Sequence, residues 1–245
     1  MTGPASILVV DDDVDACRNL SDILTDLGYR VDVAHEGITA LELVQKKTYD
    51  IALLDFKMPG MTGLELYREI RRLRAGTVAI IVSAYTNAAT KEEMLGAGAW
   101  QVLAKPVDFS HLLGLVVEAL DQPLVMVVDD DPDLCKNLWD LFHDLGFRVS
   151  LAHNVAQASE QAAEREHRVI LIDMHLPDGD GCDVFKAVRR SNPEAHTVVI
   201  TGNSREVGDL VDKALGEGAD AVCYKPFDIP ALVATVDRLS KAREM

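Results

Sequence analysis

An internal repeat as long as a whole domain limits what this chain can fold into more than any other feature of its sequence. Residues 7–35 match residues 125–153 at an offset of 118 positions. Solenoid and propeller repeats are much shorter, at about 20–50 residues. The chain has 245 residues, of which 48% are hydrophobic, and this is enough for two separate cores. We therefore predict two domains made by duplication, at 1–121 and 122–245.

Within each copy, short apolar runs alternate with amphipathic stretches. Apolar strands separated by helices are typical of a parallel sheet that is covered by helices on both faces. The sequence thus predicts two doubly wound α/β domains of the (βα)5 type. Gly28 and Gly146 stand where the first helix of each copy should end, and Asp131-Pro132 is typical of a helix N-terminus. The strands predicted in the first copy are 7–10, 30–34, 51–54, 79–82 and 101–104.

The composition argues against several classes of protein. The formal net charge is −16, and neither copy has a basic face for nucleic acid or for an anionic membrane. The four cysteines include no CxxC pair, so neither a zinc site nor a disulfide framework is indicated. No apolar run approaches the roughly 20 residues that span a bilayer, and the first residues do not form a signal peptide. We expect a cytoplasmic protein that binds neither nucleic acid nor membranes.

Polar side chains follow the predicted strands of the first copy at the point where each strand ends. Asp11 and Asp12 follow the first strand, Asp55 the third, Ser83 the fourth and Lys105 the fifth. Ligands of parallel α/β sheets bind beyond the carboxyl ends of the strands, so these five side chains should meet at one mouth. The second copy repeats the set as Asp129, Asp130, Asp173, Thr201 and Lys225.

Three carboxylates this close would repel one another unless a cation lies among them. Mg²⁺ prefers oxygen ligands and needs only one or two carboxylates, so we predict one Mg²⁺ per domain. In the first copy Asp12 and Asp55 would bind it directly and Asp11 through water. Asp55 could then attack a phosphoryl donor in line, while Lys105 neutralises the phosphoryl oxygens and Ser83 bonds to one of them. Such a site would act by shifting a conformational equilibrium and not by turnover, so we do not expect an enzyme.

In this order, the residues resemble the receiver domain of bacterial response regulators in two-component signalling. The matching segments are VVDDD, LLDFKMPGMTG or LIDMHLPDGDG, IVSA or VITG, and AKP or YKP. The resemblance covers nearly the whole chain and implies the flavodoxin-like, chemotaxis-regulator-like sheet order 2-1-3-4-5, with a cis peptide before Pro106 and Pro226. It implies phosphorylation at Asp55 and Asp173. The implied metal ligands are Asp11, Asp12, Asp55 and the Lys57 carbonyl in one copy, and Asp129, Asp130, Asp173 and the His175 carbonyl in the other.

One departure from the family concerns an aromatic residue. The family usually has Tyr or Phe three residues before the strand-five lysine, where this chain has Val102 and Val222. A switch based on an aromatic rotamer is therefore not expected. Tyr224 shares the strand parity of Val222 and could substitute, but packing in the core or at its rim is the favoured interpretation.

A second feature distinguishes the two copies. In the family, the residues two positions beyond the acceptor and two beyond the hydroxyl tune the lifetime of the acyl phosphate. At the latter position the first copy has Tyr85 and the second has Asn203. Because Tyr85 is bulky and should hinder the attacking water more than Asn203, we predict unequal phosphoryl lifetimes.

Three other residues have simpler structural interpretations. For Trp139 we favour half-buried packing over a role in docking a partner. His35 and His153 occupy equivalent positions after the second strand of each copy. We expect both histidines to lie away from the site, and neither to be a phosphoryl donor.

The expected partner is a histidine kinase or a histidine phosphotransfer protein, and the output would be a change in protein association, including a receiver–receiver contact or a homodimer. One alternative is a Mg²⁺-dependent phosphohydrolase with an aspartate nucleophile. Such enzymes need a second catalytic Asp two residues after the nucleophile, where this chain has Lys57 and His175. Another alternative is the receiver part of a longer regulator or hybrid kinase. The sequence does not name the kinase, the oligomeric state or the aspartate that is used first.

Overall fold

The structure is a computed structural model, and it describes residues 3–84, 87–202, 215–216 and 218–242. The chain forms two compact units, residues 1–122 (unit 1) and 123–245 (unit 2). Among the described residues, none of the helices combines the length and the apolar character needed to cross a lipid bilayer.

Unit 1 has one parallel sheet with helices between its strands. The sheet order is β2-β1-β3-β4-β5, which confirms the predicted topology. β1 lies between β2 and β3, where Ile7 pairs with Val31 of β2 and with Ile51 of β3. The elements are β1 Ser6–Val10, α1 Val14–Asp26, β2 Arg30–Ala34, α2 Gly37–Lys46, β3 Ile51–Asp55, α3 Gly63–Leu73, β4 Val78–Ser83, α4 Ala88–Gly96, β5 Gln101–Ala104 and α5 Phe109–Asp121.

Unit 2 repeats this architecture, with five parallel strands in the order β12-β11-β8-β6-β7. Its described elements also include a short antiparallel hairpin, β9-β10, directly after β8. The elements are β6 Leu124–Val128, α6 Pro132–Asp144, β7 Arg148–Ala152, α7 Val155–Glu164, β8 Val169–Asp173, β9 His175–Leu176, β10 Gly179–Asp180, α8 Gly181–Ser191, β11 His196–Gly202, β12 Ala221–Lys225 and α9 Ile229–Lys241.

The core of unit 1 occupies both faces of its sheet, because alternate residues of each strand point to opposite sides. On β1, Leu8 and Val10 join the cluster that includes residues of α2 and α3. Ile7 and Val9 join the other cluster, which includes residues of α1 and α5. The continuous apolar strands of the sequence are thus explained by a sheet that is buried on both sides.

The first helix of each unit begins and ends as its sequence predicts. The Asp13 and Asp131 side chains cap α1 and α6 by accepting hydrogen bonds from main-chain NH groups of the first turn. Gly28 and Gly146 follow these helices with φ of 90° and 85°, the left-handed region that glycine adopts without strain. The capping aspartates and these glycines therefore allow short connections from β1 or β6 to the first helix and from that helix to the next strand.

Trp139 is more deeply buried than its sequence position suggests. Its surface is 3% exposed, and its ring stacks on the His143 ring with 4.4 Å between centroids. Packing is therefore the correct interpretation of Trp139, and the alternative of an exposed docking residue is wrong.

Candidate functional site

In both units the predicted site residues lie at the carboxyl edge of the sheet. Asp55 is the last residue of β3, and Asp11 directly follows the neighbouring strand β1. Ser83 ends β4, and its carbonyl accepts a hydrogen bond from the main-chain NH of Lys105 at 2.9 Å. Because the strands are parallel, their carboxyl ends meet at one edge and bring these side chains together.

The Lys105 ammonium group joins two carboxylates of unit 1. Its Nζ lies 2.8 Å from Asp11 Oδ2 and 2.6 Å from Asp55 Oδ1. The other oxygen of Asp55, Oδ2, accepts a hydrogen bond from the main-chain NH of Lys57 at 3.0 Å. The Asp55 side chain is 6% exposed, so this carboxylate is held from two sides and is largely shielded from solvent.

Unit 2 contains the same arrangement. Lys225 Nζ lies 2.7 Å from Asp129 Oδ2 and 2.5 Å from Asp173 Oδ2. The main-chain NH of His175 donates to Asp173 Oδ1 at 2.9 Å. The Asp129 side chain is 0% exposed, against 14% for its equivalent Asp11. The lysine of unit 2 therefore neutralises a more deeply buried charge.

Burial governs the ionisation of these groups. It raises the pKa of the Asp55 carboxyl group, and although the hydrogen bond from Lys105 lowers it, the charge of Asp11 adds to the rise. Burial also raises the pKa of Asp129, against the opposing effect of Lys225. For both lysines burial lowers the pKa, but hydrogen bonds to the two carboxylates reverse this and leave the pKa above its ordinary value. Each cluster thus keeps a charged lysine beside one carboxylate that burial makes costly to ionise, Asp55 in unit 1 and Asp129 in unit 2.

The donor set of each cluster also fits a hard divalent cation. The three predicted aspartates of each unit offer one carboxylate oxygen apiece, and these oxygens lie within 4.8 Å of one another. In unit 2 Asp129 and Asp173 are buried and Asp130 is exposed, whereas in unit 1 Asp55 is buried, Asp11 half-buried and Asp12 exposed. Carboxylate oxygens at a partly open mouth suit Mg²⁺, which retains some of its water. The two sets are Asp11, Asp12 and Asp55 in unit 1, and Asp129, Asp130 and Asp173 in unit 2.

Glycine at the start of the following helix permits a close approach of backbones. A Cβ at Gly63 would lie 2.3 Å from the Asp55 carbonyl oxygen, and one at Gly181 would lie 2.6 Å from the Asp173 carbonyl oxygen. Both separations are well below van der Waals contact. The absent side chain therefore lets α3 and α8 begin directly beside the aspartates.

The two predicted hydroxyl residues are buried beside the clusters. Ser83 is 2% exposed and Thr201 is 0% exposed. The sheet register pairs Asp55 with Val82, so Ser83 lies one residue further along the next strand towards the mouth. Thr201 has the corresponding place in unit 2, and its hydroxyl donates to the Gly202 carbonyl at 3.3 Å. The hydroxyl proton of Thr201 is therefore donated to the next residue of the same strand, β11.

Val102, Val222 and Tyr224, which bear on the question of an aromatic switch, differ in how deeply they are buried. Val102 is 6% exposed and packs in the core, and Val222 is half-buried. Tyr224 is 52% exposed and is the cross-strand partner of Thr201, so it lies at the surface and not in the core. Tyr85 and Asn203 lie outside the described residues, and the expected difference in phosphoryl lifetime stays a prediction.

The structure corrects the expectation that the two repeated histidines lie away from the site. His35 Nδ1 lies 3.2 Å from the main-chain oxygen of Asp11, and His153 Nδ1 lies 3.1 Å from that of Asp129. The contact did not follow from the residue types at the strand ends, because its acceptor is a main-chain oxygen and not a side chain. The repetition of both histidines at the same offset was the signal that could have indicated it.

Comparison with known proteins identifies the family. The family model described as the response regulator receiver domain matches the chain twice, at residues 7–117 and 125–237. The chain belongs to the response regulator receiver family. Receivers are phospho-accepting regulatory domains, and their acidic residues bind Mg²⁺. Each of the two matched segments contains one of the acidic clusters.

Similar proteins include one that is matched over nearly its whole length and one that is matched over only part of it. A response regulator receiver protein of Anaeromyxobacter sp. (strain Fw109-5) is 33% identical over 236 residues, covering 96% of this chain and 95% of that protein. The transcriptional regulatory protein ZraR of Klebsiella oxytoca is 41% identical over 114 residues, covering 46% of this chain and 26% of ZraR. The matched part of ZraR is thus about a quarter of its length.

Two solved receiver structures are also similar to this chain. A CheY-like receiver domain protein from Methanospirillum hungatei JF-1 is 34% identical, with a TM-score of 0.47, covering 49% of this chain and 95% of its own. The response regulator TrrA from Thermotoga maritima, solved in complex with Mg²⁺-BeF, is 32% identical, with a TM-score of 0.43, covering 47% of this chain and 98% of its own. Each match covers about half of this chain.

Proposed function

We propose that this protein is a two-receiver response regulator that accepts phosphoryl groups on Asp55 and Asp173. The donor would be a histidine kinase or a histidine phosphotransfer protein in the cytoplasm. The observation that carries the proposal is the cluster in which one lysine bridges the candidate acceptor and a second aspartate, found with the same contacts in both units. Buried titratable groups with specific charge partners are typical of functional sites, and this chain contains such a cluster in both units.

One Mg²⁺ per receiver would lie at this mouth and neutralise charge on the phosphoryl oxygens. In unit 1, Asp12 and Asp55 would bind the ion directly, Asp11 would bind it through water, and the main-chain carbonyl of Lys57 would complete the protein ligands. The fit rests on the carboxylate oxygens, which lie within 4.8 Å of one another. The equivalent set in unit 2 is Asp129, Asp130, Asp173 and the carbonyl of His175.

Phosphoryl transfer follows from the position of Asp55. A carboxylate oxygen of Asp55 attacks phosphorus, a P–O bond forms, and the P–N bond to the donor histidine breaks. Lys105 already lies 2.6 Å from Asp55, so its ammonium group can hydrogen bond to a phosphoryl oxygen after transfer. The Lys57 NH, at 3.0 Å from the other carboxylate oxygen, keeps the carboxylate oriented for attack. Lys225 and the His175 NH would have the same roles for Asp173.

The phosphorylated aspartate would act as a switch. Ser83 and Thr201 are one residue further along the neighbouring strand than the acceptors, so their hydroxyls can move towards new phosphoryl oxygens. Only the phosphorylated state offers this hydrogen bond, and that differential contact shifts the equilibrium between two positions of the Ser83 or Thr201 side chain. The output would be a changed protein contact, including a receiver–receiver contact or a homodimer, and the only chemistry would be self-phosphorylation and autodephosphorylation.

The test is mass spectrometry of the intact protein after incubation with acetyl phosphate and Mg²⁺. The wild type should gain two phosphoryl groups, and the Asp55→Asn and Asp173→Asn variants should gain one each. EDTA should prevent both additions. The proposal is wrong if the double variant Asp55→Asn/Asp173→Asn still gains phosphoryl groups. It is also wrong if the wild type gains none from acetyl phosphate and none from a phosphorylated histidine protein.

A further inference from the structure

The main-chain carbonyl of the first aspartate in each cluster receives hydrogen bonds from two side chains. In unit 1, Asp11 O lies 3.3 Å from Cys17 Sγ and 3.2 Å from His35 Nδ1. In unit 2, Asp129 O lies 3.2 Å from Cys135 Sγ and 3.1 Å from His153 Nδ1. The two pairs come from different elements, since the cysteine lies in the first helix of its unit and the histidine follows the second strand.

The chemistry of these contacts is fixed by the acceptor. A main-chain carbonyl can only accept, so each histidine must donate from Nδ1, and each thiol must donate its proton. The contacts are needed because the paired part of β1 ends at Val10, which leaves the Asp11 carbonyl beyond the sheet. Both cysteines are at most 1% exposed, so the thiol end of the contact is protected from water.

The orientation of the Asp11 carbonyl determines the orientation of the next residue, Asp12. The Asp11 carbonyl and the Asp12 amide belong to one planar peptide unit, so the direction of the carbonyl sets the plane from which Asp12 departs. The other polar groups of Asp11 are also engaged: its NH donates to Ala34 O at 3.3 Å, and its Oδ1 accepts from the Asp13 NH at 2.9 Å. Asp12 itself is exposed, and no hydrogen bond or ion pair with another described residue orients its carboxylate. Its direction therefore depends on the peptide that precedes it.

We propose that Cys17 with His35, and Cys135 with His153, are positioning residues that orient the metal-binding aspartates Asp12 and Asp130 through this peptide. The inference rests on the proposed function, because it assumes that these aspartates bind a divalent cation. Partners that orient metal ligands from outside the coordination sphere typically contribute a factor of 10–100 to metal affinity. The cysteine and histidine of each unit would thus contribute to metal binding in addition to the acidic, hydroxyl and lysine residues of the site.

The test measures metal affinity with variants that remove or keep the donor. Asp130→Asn provides a background in which unit 2 lacks its metal site, and Mn²⁺ binding to unit 1 is then followed by electron paramagnetic resonance. His35→Leu and Cys17→Ala remove a donor. His35→Asn and Cys17→Ser keep one, because the Asn amide nitrogen occupies the place of Nδ1 and the Ser hydroxyl replaces the thiol.

We expect the dissociation constant for Mn²⁺ to rise about 10-fold in His35→Leu and in Cys17→Ala. It should stay within about 2-fold of the wild type in His35→Asn and Cys17→Ser, because these side chains still donate. Melting temperatures without metal serve as the control for folding. Equal affinities in the Leu and Asn variants, or a lower melting temperature with unchanged affinity, would show a structural role only and overturn the proposal.

The failure of this inference can be told apart from failure of the proposed function. Phosphorylation by acetyl phosphate is measured on the same proteins over a range of Mg²⁺ concentrations. A wild type that binds Mn²⁺ but is never phosphorylated would contradict the proposed function and leave the positioning role intact. A wild type that is phosphorylated, with a His35→Leu variant whose metal affinity is unchanged, would contradict the positioning role alone. No metal binding by the wild type would contradict both.

Discussion

The buried His167 of unit 2 should make the stability of that unit fall as the pH is lowered. The side chain is 2% exposed. Its Nδ1 lies 3.1 Å from the Arg165 carbonyl, which only accepts, so Nδ1 carries the proton. Nε2 lies 2.9 Å from the Ser150 hydroxyl and must therefore accept from it. The neutral imidazole satisfies both contacts, whereas protonation would reverse the hydrogen bond to Ser150 and place a charge in the buried core.

Burial lowers the pKa of His167 to about 3, and the charges of Arg165 and Arg148 add to this effect. In the unfolded chain the pKa returns to about 6.5. Between these values the unfolded state binds one more proton than the folded state, so stability is complete above pH 6.5 and is lost as the pH falls below it. The loss is about 1.4 kcal/mol per pH unit, which amounts to about 2.5 kcal/mol between pH 7 and pH 4.5. The result at pH 4.5 is nearly the same for any folded pKa below about 4.

The matched control is the double variant Ser150→Ala/His167→Phe. It removes both partners of the hydrogen bond between Ser150 and His167, and the donor that the Arg165 carbonyl loses changes the stability by an amount that does not depend on pH. Urea denaturation can be followed by Trp139 fluorescence in a Trp100→Phe background, since Trp139 belongs to unit 2 and is buried there. The free energy of unfolding of the wild type minus that of the double variant should fall by about 2.5 kcal/mol from pH 7 to pH 4.5. A constant difference, or one that grows as the pH falls, would refute the neutral buried histidine.

Three further results follow from the clusters. Lys225→Ala should destabilise unit 2 in Mg²⁺-free buffer by about 3 kcal/mol, and Lys105→Ala should destabilise unit 1 by less, because Asp129 is fully buried and Asp11 is not. Equal or reversed losses of unfolding free energy in urea denaturation would contradict this. Gly63→Ala and Gly181→Ala should each cost about 1–3 kcal/mol and slow phosphorylation, because the new Cβ would meet a carbonyl oxygen at 2.3 or 2.6 Å; unchanged melting and labelling rates would show that the helix can move away freely. Asp55→Asn should raise the melting temperature in Mg²⁺-free buffer and reduce the stabilisation by added Mg²⁺, because burial makes the Asp55 charge unfavourable; a lower melting temperature without metal would contradict the assigned direction of the pKa.

The fold and the acidic clusters were predictable from the sequence for one physical reason. Strands that are apolar at every position must be buried on both faces, and this requires a parallel sheet with helices on either side. Once the strands are parallel, every residue that ends a strand lies at the same edge. The spacing of Asp11, Asp55 and Lys105 along the chain was therefore sufficient to place all three in one cluster, although Lys105 lies 94 residues beyond Asp11.

Contacts that do not follow from strand order were not predictable. The hairpin after β8 is held by Asp178, whose carboxylate accepts from the main-chain NH groups of Val155 and Ala156 at 2.9 and 3.3 Å. Unit 1 has Gly60 at the equivalent position and cannot make these bonds. Because the donors are the free NH groups at the start of α7, a carboxylate from any nearby loop could satisfy them. Only the folded path of the loop shows that Asp178 does so.

The two units also form a hydrogen bond between the same two positions with different chemistry. Tyr49 donates its hydroxyl proton to Asp32 at 2.8 Å in unit 1, and the equivalent residues of unit 2 are His167 and Ser150, with the direction of donation reversed. In unit 1 the acceptor is a charged carboxylate, which Lys47 neutralises at 2.8 Å. In unit 2 both partners are neutral, and the histidine takes the place of the charge. The duplicated fold thus preserves a hydrogen-bonded pair between the second strand and the start of the third, while the identity of the ionisable group has changed. For this reason we expect acid to weaken unit 2 through His167, whereas unit 1 has no equivalent histidine at that position.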